Sequence, residues 1–252
     1  MIGLAEDGKQ YEQRGYTPQR MVRSHPTYAE RFGMPFGYHV KDRVAATSRA
    51  CRAVMLAAEQ SRQLGEAAFS ELQFLHFTTI ERLDDDAALA AALDRVDGLD
   101  GAAITARLDD DDVLERYQRQ RDRARQAAGS PTAAQGKSAN SDGLERYTAP
   151  SLIFTLPDGS SLEAGGFQPV EAYDVILANL DPSLQRRPAA QSAAEVVDHF
   201  QQPLTTAEIA AVMAEPMMPP SRAGAAAELE KLVAAGSVTR EPLGDDALWR
   251  AA

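Results

Sequence analysis

Cysteine is nearly absent: the 252 residues contain one, Cys51. A single thiol excludes an intramolecular disulfide and any zinc site built on cysteines. Histidine is scarce too. His25, His39, His76 and His199 are scattered, with no H-x-x-x-H or HExxH spacing, so neither a metal nor any other cofactor is expected. No run approaches the ~20 apolar residues that span a bilayer, and no membrane association is expected. The opening MIGLAEDGKQYEQRGY lacks the basic start, apolar stretch and small-residue cleavage site of a signal peptide. The expected location is therefore the cytoplasm. Positive charge is in deficit, with 26 Lys and Arg against 37 Asp and Glu, for a formal net charge of −11. Such a surface repels phosphate backbones, so nucleic acid is not an expected partner.

What is present is enough for a sizeable core: 44% of residues are hydrophobic. Residues 1–40, punctuated by Pro18, Pro26, Pro35 and several glycines, read as a long irregular connection, with Met1 to Leu4 as the tail of a strand. Residues 41–128 read as helices. The first has an apolar face of Val44, Cys51, Val54, Met55 and Ala58 and is expected to stop at Gly65. The second, Glu66 to Leu83, would face Phe69, Leu72, Leu75, Phe77 and Ile80 inward. The third carries Leu89, Leu93 and Val96, and a fourth runs from Val113 to Ala128. The acidic runs Asp84–Asp86 and Asp109–Asp112 suit helix N-termini, where carboxylates cap free N–H groups, and have no EF-hand spacing. Residues 129–147 read as a loop.

From Ser151 the character changes. A strand to Leu156, an Asp158-Gly159 turn and a return strand to Ala164 lead through Gly165-Gly166 to a helix opened by Pro169. Its expected buried face is Val170, Tyr173, Ile176, Leu177 and Leu180. Residues 183–202 read as a linker, or as a short helix around Glu195 to Phe200. Residues 203–252 follow the order helix, bend, helix, hairpin: Ala207–Met213 capped by Thr205-Thr206, Ser221–Ala235, then strands Ser237–Pro242 and Ala247–Arg250. That is the order of a winged helix.

The segment YTAPSLIFTLPDGSSLEAGGFQPVEAYDVILANL, preceded by a helical insertion, resembles the closing β-β-α half of the DsbA family of thiol-disulfide oxidoreductases, including the cytoplasmic dithiol-disulfide isomerase-like members. The resemblance covers about residues 1–182. It implies an α/β, thioredoxin-like fold of DsbA type with a helical insertion at about 41–128. A linker (183–202) and a small winged-helix-like domain (203–252) follow. It also implies that Pro150 is the family's cis-proline, presenting the backbone of Ala149 to an extended protein or peptide substrate, with Thr148 as the tuning neighbour. Substrate contact is thus expected at Thr148, Ala149 and Pro150.

The family's C-x-x-C pair lies N-terminal to the helical insertion, and no such pair occurs here. The expectation is an N-terminally shortened chain, lacking its first strand and CxxC helix and inactive in two-cysteine exchange, which needs an attacking thiolate and a second, resolving thiol. Cys51, on an apolar helical stripe, is expected to be a buried structural thiol. The alternative is a non-catalytic binder of peptides or a partner protein. A transcriptional regulator using the winged helix is a weaker alternative, since helix Ser221–Ala235 sets only Arg222 and Lys231 against Glu228 and Glu230.

Overall fold

The computed structural model describes residues 5–140, 143–200 and 202–252. The strand tail expected at Met1 to Leu4 lies outside them. In chain order the elements are α1 (Lys9–Glu12), α2 (Pro18–Phe32), α3 (Ser48–Gln60), α4 (Arg62–Thr78), α5 (Asp86–Leu93), α6 (Gly101–Thr105), α7 (Asp111–Arg123) and α8 (Pro131–Ala134). Strands β1 (Ser138–Ala139), β2 (Arg146–Tyr147), β3 (Ser151–Thr155) and β4 (Ser161–Gly165) lead to α9 (Val170–Leu180). Then come α10 (Ala193–His199), β5 (Leu204–Thr205), α11 (Thr206–Met213), α12 (Arg222–Ala234), β6 (Val238–Leu243) and β7 (Asp246–Ala251). The chain forms two compact units, one of residues 111–187 and the other joining 5–110 to 188–252. This division cuts across the sequence-based boundaries at 182 and 202.

In the larger unit, the stretch expected to be irregular contains the 15-residue α2. Its signals are local. The Thr17 side chain accepts the Arg20 N–H, Pro18 occupies the first turn, and Gly33 ends the helix at φ 72°. Pro26 sits inside it and costs one backbone bond rather than the helix. The next helix does not end at Gly65. The chain breaks at Ser61, whose Oγ accepts the Leu64 N–H at 3.1 Å and starts α4. Gly65 lies within α4 against α3, where a Cβ would sit 2.5 Å from the Ala58 Cβ.

The buried stripe of α3 is also rotated from the expected one: Ala50, Ala53, Met55, Leu56 and Ala57 are buried together with Ser48 and Arg52. These polar residues mask the stripe in an apolarity count, and each has a polar partner. Ser48 Oγ donates to Ala5 O at 2.6 Å, and Arg52 pairs with Glu6 at 3.1 Å. Cys51 and Val54 are therefore half-buried and Ala58 exposed. In α4 the inward set is Gly65, Ala68, Leu72 and Thr78, leaving Phe69 and Ile80 exposed. Leu89, Leu93 and Val96 are buried as read from sequence.

Residues 188–252 complete this unit. β5, β7 and β6 form a three-stranded antiparallel sheet in that order, with Leu204 opposite Trp249 and Arg240 on the other side of Trp249. Ala193, Val196, Leu204, Ile209, Leu229 and Trp249 pack one core between this sheet and α10, α11 and α12. A capping box fixes the entry to α11: the Thr205 side chain takes the Glu208 N–H, and Glu208 returns to the Thr205 N–H. The indole N–H of Trp249 donates to Thr206 Oγ1 at 2.9 Å. The β6–β7 turn is docked on the segment after α2. Asp245 accepts the Phe36 N–H and the Tyr38 hydroxyl, both at 2.8 Å, and its own N–H donates to Phe36 O at 3.0 Å. Gly244 lets that approach happen, since a Cβ there would meet Phe36 O at 2.6 Å.

In the smaller unit, β1 pairs with β2 and β3 with β4, both antiparallel. The segment expected to be a loop thus holds α8, β1 and β2. No residue of α9 is buried, contrary to the face read from sequence, and Val170 is 72% exposed. The β3–β4 sheet is two-stranded among the described residues. A sheet that narrow covers only one side of a helix, and its own Leu152 and Ile153 stay exposed.

Candidate functional site

The Ala149–Pro150 peptide bond is cis. The corner is built by its neighbours. The Thr148 N–H and hydroxyl both donate to Lys137 O, at 3.2 and 2.6 Å. Ser151 Oγ donates to Thr148 O at 2.5 Å and accepts the Gly166 N–H at 3.1 Å. Gly166 sits at φ 67°, which favours glycine, and Gly165 touches Thr132, where a Cβ would fall 2.5 Å from Cγ2. The strand β3 starts at Ser151, paired with Gly165. The two sides of the corner are thus pinned to the β1 end and to the end of β4.

Beneath it Glu163 ties the small elements together. Its carboxylate accepts the Thr132 N–H (3.0 Å), the Thr132 hydroxyl (2.7 Å) and the Tyr147 hydroxyl (3.2 Å). Burial pushes its carboxyl up, but these donors together outweigh that and hold it below the usual value. Ala149 and Pro150 themselves are exposed. The N–H and C=O of Ala149 take no hydrogen-bond partner among the described residues. The arrangement is a rigid corner with one free donor and one free acceptor on the main chain.

Cys51 belongs to the other compact unit, on α3. It is half-buried rather than buried, because the core stripe of α3 passes through Arg52 and Met55. Ser151, Lys137 and Gly166 are the site-building residues that the sequence reading missed. The pairing of Ser151 with the Gly-Gly step fifteen residues on was the available signal. Among the described residues, no group of three or more His, Cys, Asp or Glu side chains is placed to hold a metal ion. No helix is long and apolar enough to cross a membrane.

The sequence model of the DSBA-like thioredoxin domain matches residues 11–148, more than half of the chain. The protein belongs to the DSBA-like thioredoxin domain family. That membership accords with the mixed helix-and-strand architecture. The match spans the helical stretch and ends at Thr148, the first residue of the cis-proline corner. No curated protein matches the chain.

Proposed function

We propose that this DSBA-like protein uses the Thr148-Ala149-Pro150 corner to bind an extended segment of a thiol- or disulfide-bearing protein. The observation that carries the reading is the exposed Ala149 main chain, with its N–H and C=O unpaired while Thr148 and Ser151 are held in place. A peptide laid beside it gains two backbone hydrogen bonds in the manner of an added strand. Thiol–disulfide exchange needs a thiolate that attacks and a second thiol that resolves the mixed disulfide. With Cys51 as the one cysteine of these 252 residues, the chain by itself binds such substrates without turning them over.

The test is binding of a fluorescent extended peptide carrying a blocked cysteine. Ala149→Pro, which removes the N–H, is expected to weaken binding about tenfold, within the range for a lost hydrogen bond on an unpaired partner. Unchanged affinity in Ala149→Pro sinks the proposal, as does reduction of insulin by the isolated chain at a catalytic rate.

Residues 188–252 support a second reading, a winged-helix-like module that makes protein contacts instead of reading DNA. The element order α10-β5-α11-α12-β6-β7 and the β5-β7-β6 sheet favour that likeness. Two features argue against DNA. The β6–β7 turn is already occupied by Phe36 and Tyr38, and Arg240 and Arg250 face Glu230 and Glu241. A gel shift at low salt should show no retarded band. A cytoplasmic location belongs to the same reading, as the resemblance to the cytoplasmic isomerase-like members implies.

A further inference from the structure

In the smaller unit the outer edge of β3 is unfinished. The Leu156 N–H donates to Ser160 O at 2.9 Å, closing the hairpin, and Phe154 stands opposite Leu162 and Leu152 opposite Ala164. Hydrogen-bonded pairs alternate with non-bonded ones along an antiparallel ladder, so Leu152, Phe154 and Leu156 turn their main chains toward β4. Ser151, Ile153 and Thr155 turn theirs away, and their N–H and C=O groups take no partner among the described residues. Natural sheets blunt such an edge with a lysine, a proline or a bulge. The strand Ser-Leu-Ile-Phe-Thr has none of these and carries no charge.

The side chains of the strand are uncovered as well. Leu152 is 45% exposed and Ile153 49%. The ring centres of Phe154 and Tyr173 lie 6.5 Å apart, so by strand alternation Leu152 and Phe154 share the face that carries α9, and Ile153 lies on the other. The edge is also self-complementary. A second copy of the strand, turned antiparallel about Ile153, sets Ile153 opposite Ile153 and Ser151 opposite Thr155 at both ends. Every outward N–H then meets an outward C=O, two bonds per opposed pair and about six in all. On the α9 face Leu152 falls opposite the partner's Phe154, an apolar cross-strand contact made twice.

We propose that the chain pairs with a second copy of itself through β3, making a four-stranded antiparallel sheet in the order β4-β3-β3-β4. The two-fold axis stands perpendicular to that sheet, so both copies of α9 lie on one face of it. An extended peptide satisfies the same main-chain groups but fixes no register. The second copy also matches Leu152 to Phe154 at both ends and sets no charged side chain against another within the strand pair. Two chains of net charge −11 repel each other elsewhere, and salt screens that repulsion, so the dimer tightens as ionic strength rises. A strand this short makes a contact well below the standard interface of about 1,600 Å², and the expected affinity is on the order of 10 μM. The pairing makes no use of Ala149 and stands apart from the peptide reading above.

The test is sedimentation equilibrium of the full chain over roughly 1 to 200 μM, a span that brackets the expected constant. The expected result is a monomer–dimer equilibrium, with the Ser151, Ile153 and Thr155 amides exchanging more slowly with solvent at the high concentration than at the low one. Ile153→Lys and Ile153→Glu each set like charges against one another at the two-fold axis, and each should weaken the dimer at least about tenfold. Because residue 153 faces itself, an equimolar mixture of the two variants should regain the dimer. Ile153 is exposed and its N–H points away from β4, so both variants keep the hairpin, which circular dichroism checks. The inference is overturned if the native chain is monomeric at the top concentration, if the dimer survives Ile153→Lys, or if the mixed variants stay monomeric. A dimer in which those three amides exchange at the monomer's rate overturns it too, since the contact then lies elsewhere.

Discussion

Asp245 at the β6–β7 turn is the place to test whether residues 188–252 are fastened to the helical part of their unit by chemistry or merely lie beside it. Its carboxylate accepts the Phe36 N–H and the Tyr38 hydroxyl, and Asp245→Ala deletes both bonds while leaving its own N–H bonded to Phe36 O. The two losses are unequal. The Tyr38 bond is exposed, so water replaces it at little net cost. Phe36 is buried, and its N–H loses its acceptor, a cost of about 1–3 kcal/mol. Because the carboxylate itself is partly solvated, the lower half applies, about 1.5 kcal/mol. For a chain of this size that lowers the melting temperature by roughly 3–6 °C. Asp245→Asn keeps an oxygen for the Phe36 N–H and should lose about 0.5 kcal/mol.

Two local readouts separate this account from general damage. The Phe36 amide should exchange with solvent faster in Asp245→Ala, ahead of amides in α3 and α4. Tyr38 should titrate closer to the ordinary phenol value of about 10. In the native chain its pKa is raised, first by the hydrogen bond to Asp245, then by burial and by the Asp245 charge. A raised pKa stabilises the protonated folded form below the unfolded value, and that contribution disappears as pH rises through the folded value. The reasoning is refuted if the Ala and Asn variants melt together with the native chain, or if the Tyr38 titration does not move.

Other outcomes follow from the same packing. Gly65→Ala should lose about 1–3 kcal/mol in denaturant titration despite alanine's better helix propensity, because its Cβ would overlap Ala58; a stabilised variant would refute the close approach. Thr205→Ala should lose about 1 kcal/mol by removing one half of the α11 capping box, measured the same way, with Thr205→Ser nearly neutral. Asp84→Asn should lose about 2 kcal/mol, since Arg43 and the Ala46 N–H converge on that carboxylate. Burial raises the Asp84 carboxyl, but these donors prevail and hold it low. Its stabilisation is therefore full above the unfolded value of about 4 and fades as pH falls through the folded one. His76 gives a separate acid limb. Its folded value of about 4 lies below the ordinary imidazole value of 6.5, so the unfolded chain binds the extra proton and stability drops as pH falls between them. His76→Gln should flatten that limb in an acid melting series.

The C-terminal elements were readable because each announces itself locally: Thr205 with Glu208, Ser221, Gly236 and the Gly244 turn are signals spaced within a few residues. The β3 and β4 hairpin and the α9 helix were readable for the same reason. The rotated face of α3 was not, because Ser48 and Arg52 are buried through partners at Ala5, Glu6 and Asp109, 40 to 60 residues away in some cases and invisible to periodicity. α2 stands where the three prolines and the glycines of residues 1–40 point to an irregular connection, and Thr17, Pro18 and Gly33 mark both its ends. The corner at Ala149–Pro150 was located by family resemblance. Its support at Lys137 is a backbone carbonyl, which any residue can supply, so sequence carries no trace of it, whereas the support at Ser151 needs a hydroxyl and is hinted at by the Gly165-Gly166 step.

The histidines show the same limit most sharply. As a sequence pattern, His25, His39 and His76 have no H-x-x-x-H or HExxH spacing. What folding adds is a different relation: all three line one void with Lys41, and the Phe77 ring lies 4.6 Å from His76 and 6.2 Å from His25. The wall of that void includes Gly37, whose carbonyl holds His25 and whose neighbours Phe36 and Tyr38 are held by Asp245. Loosening the turn should therefore be felt at the cavity. If Asp245→Ala leaves the His25 and His76 resonances where they are, the strap and the cavity are energetically independent, and contact alone has been mistaken for coupling.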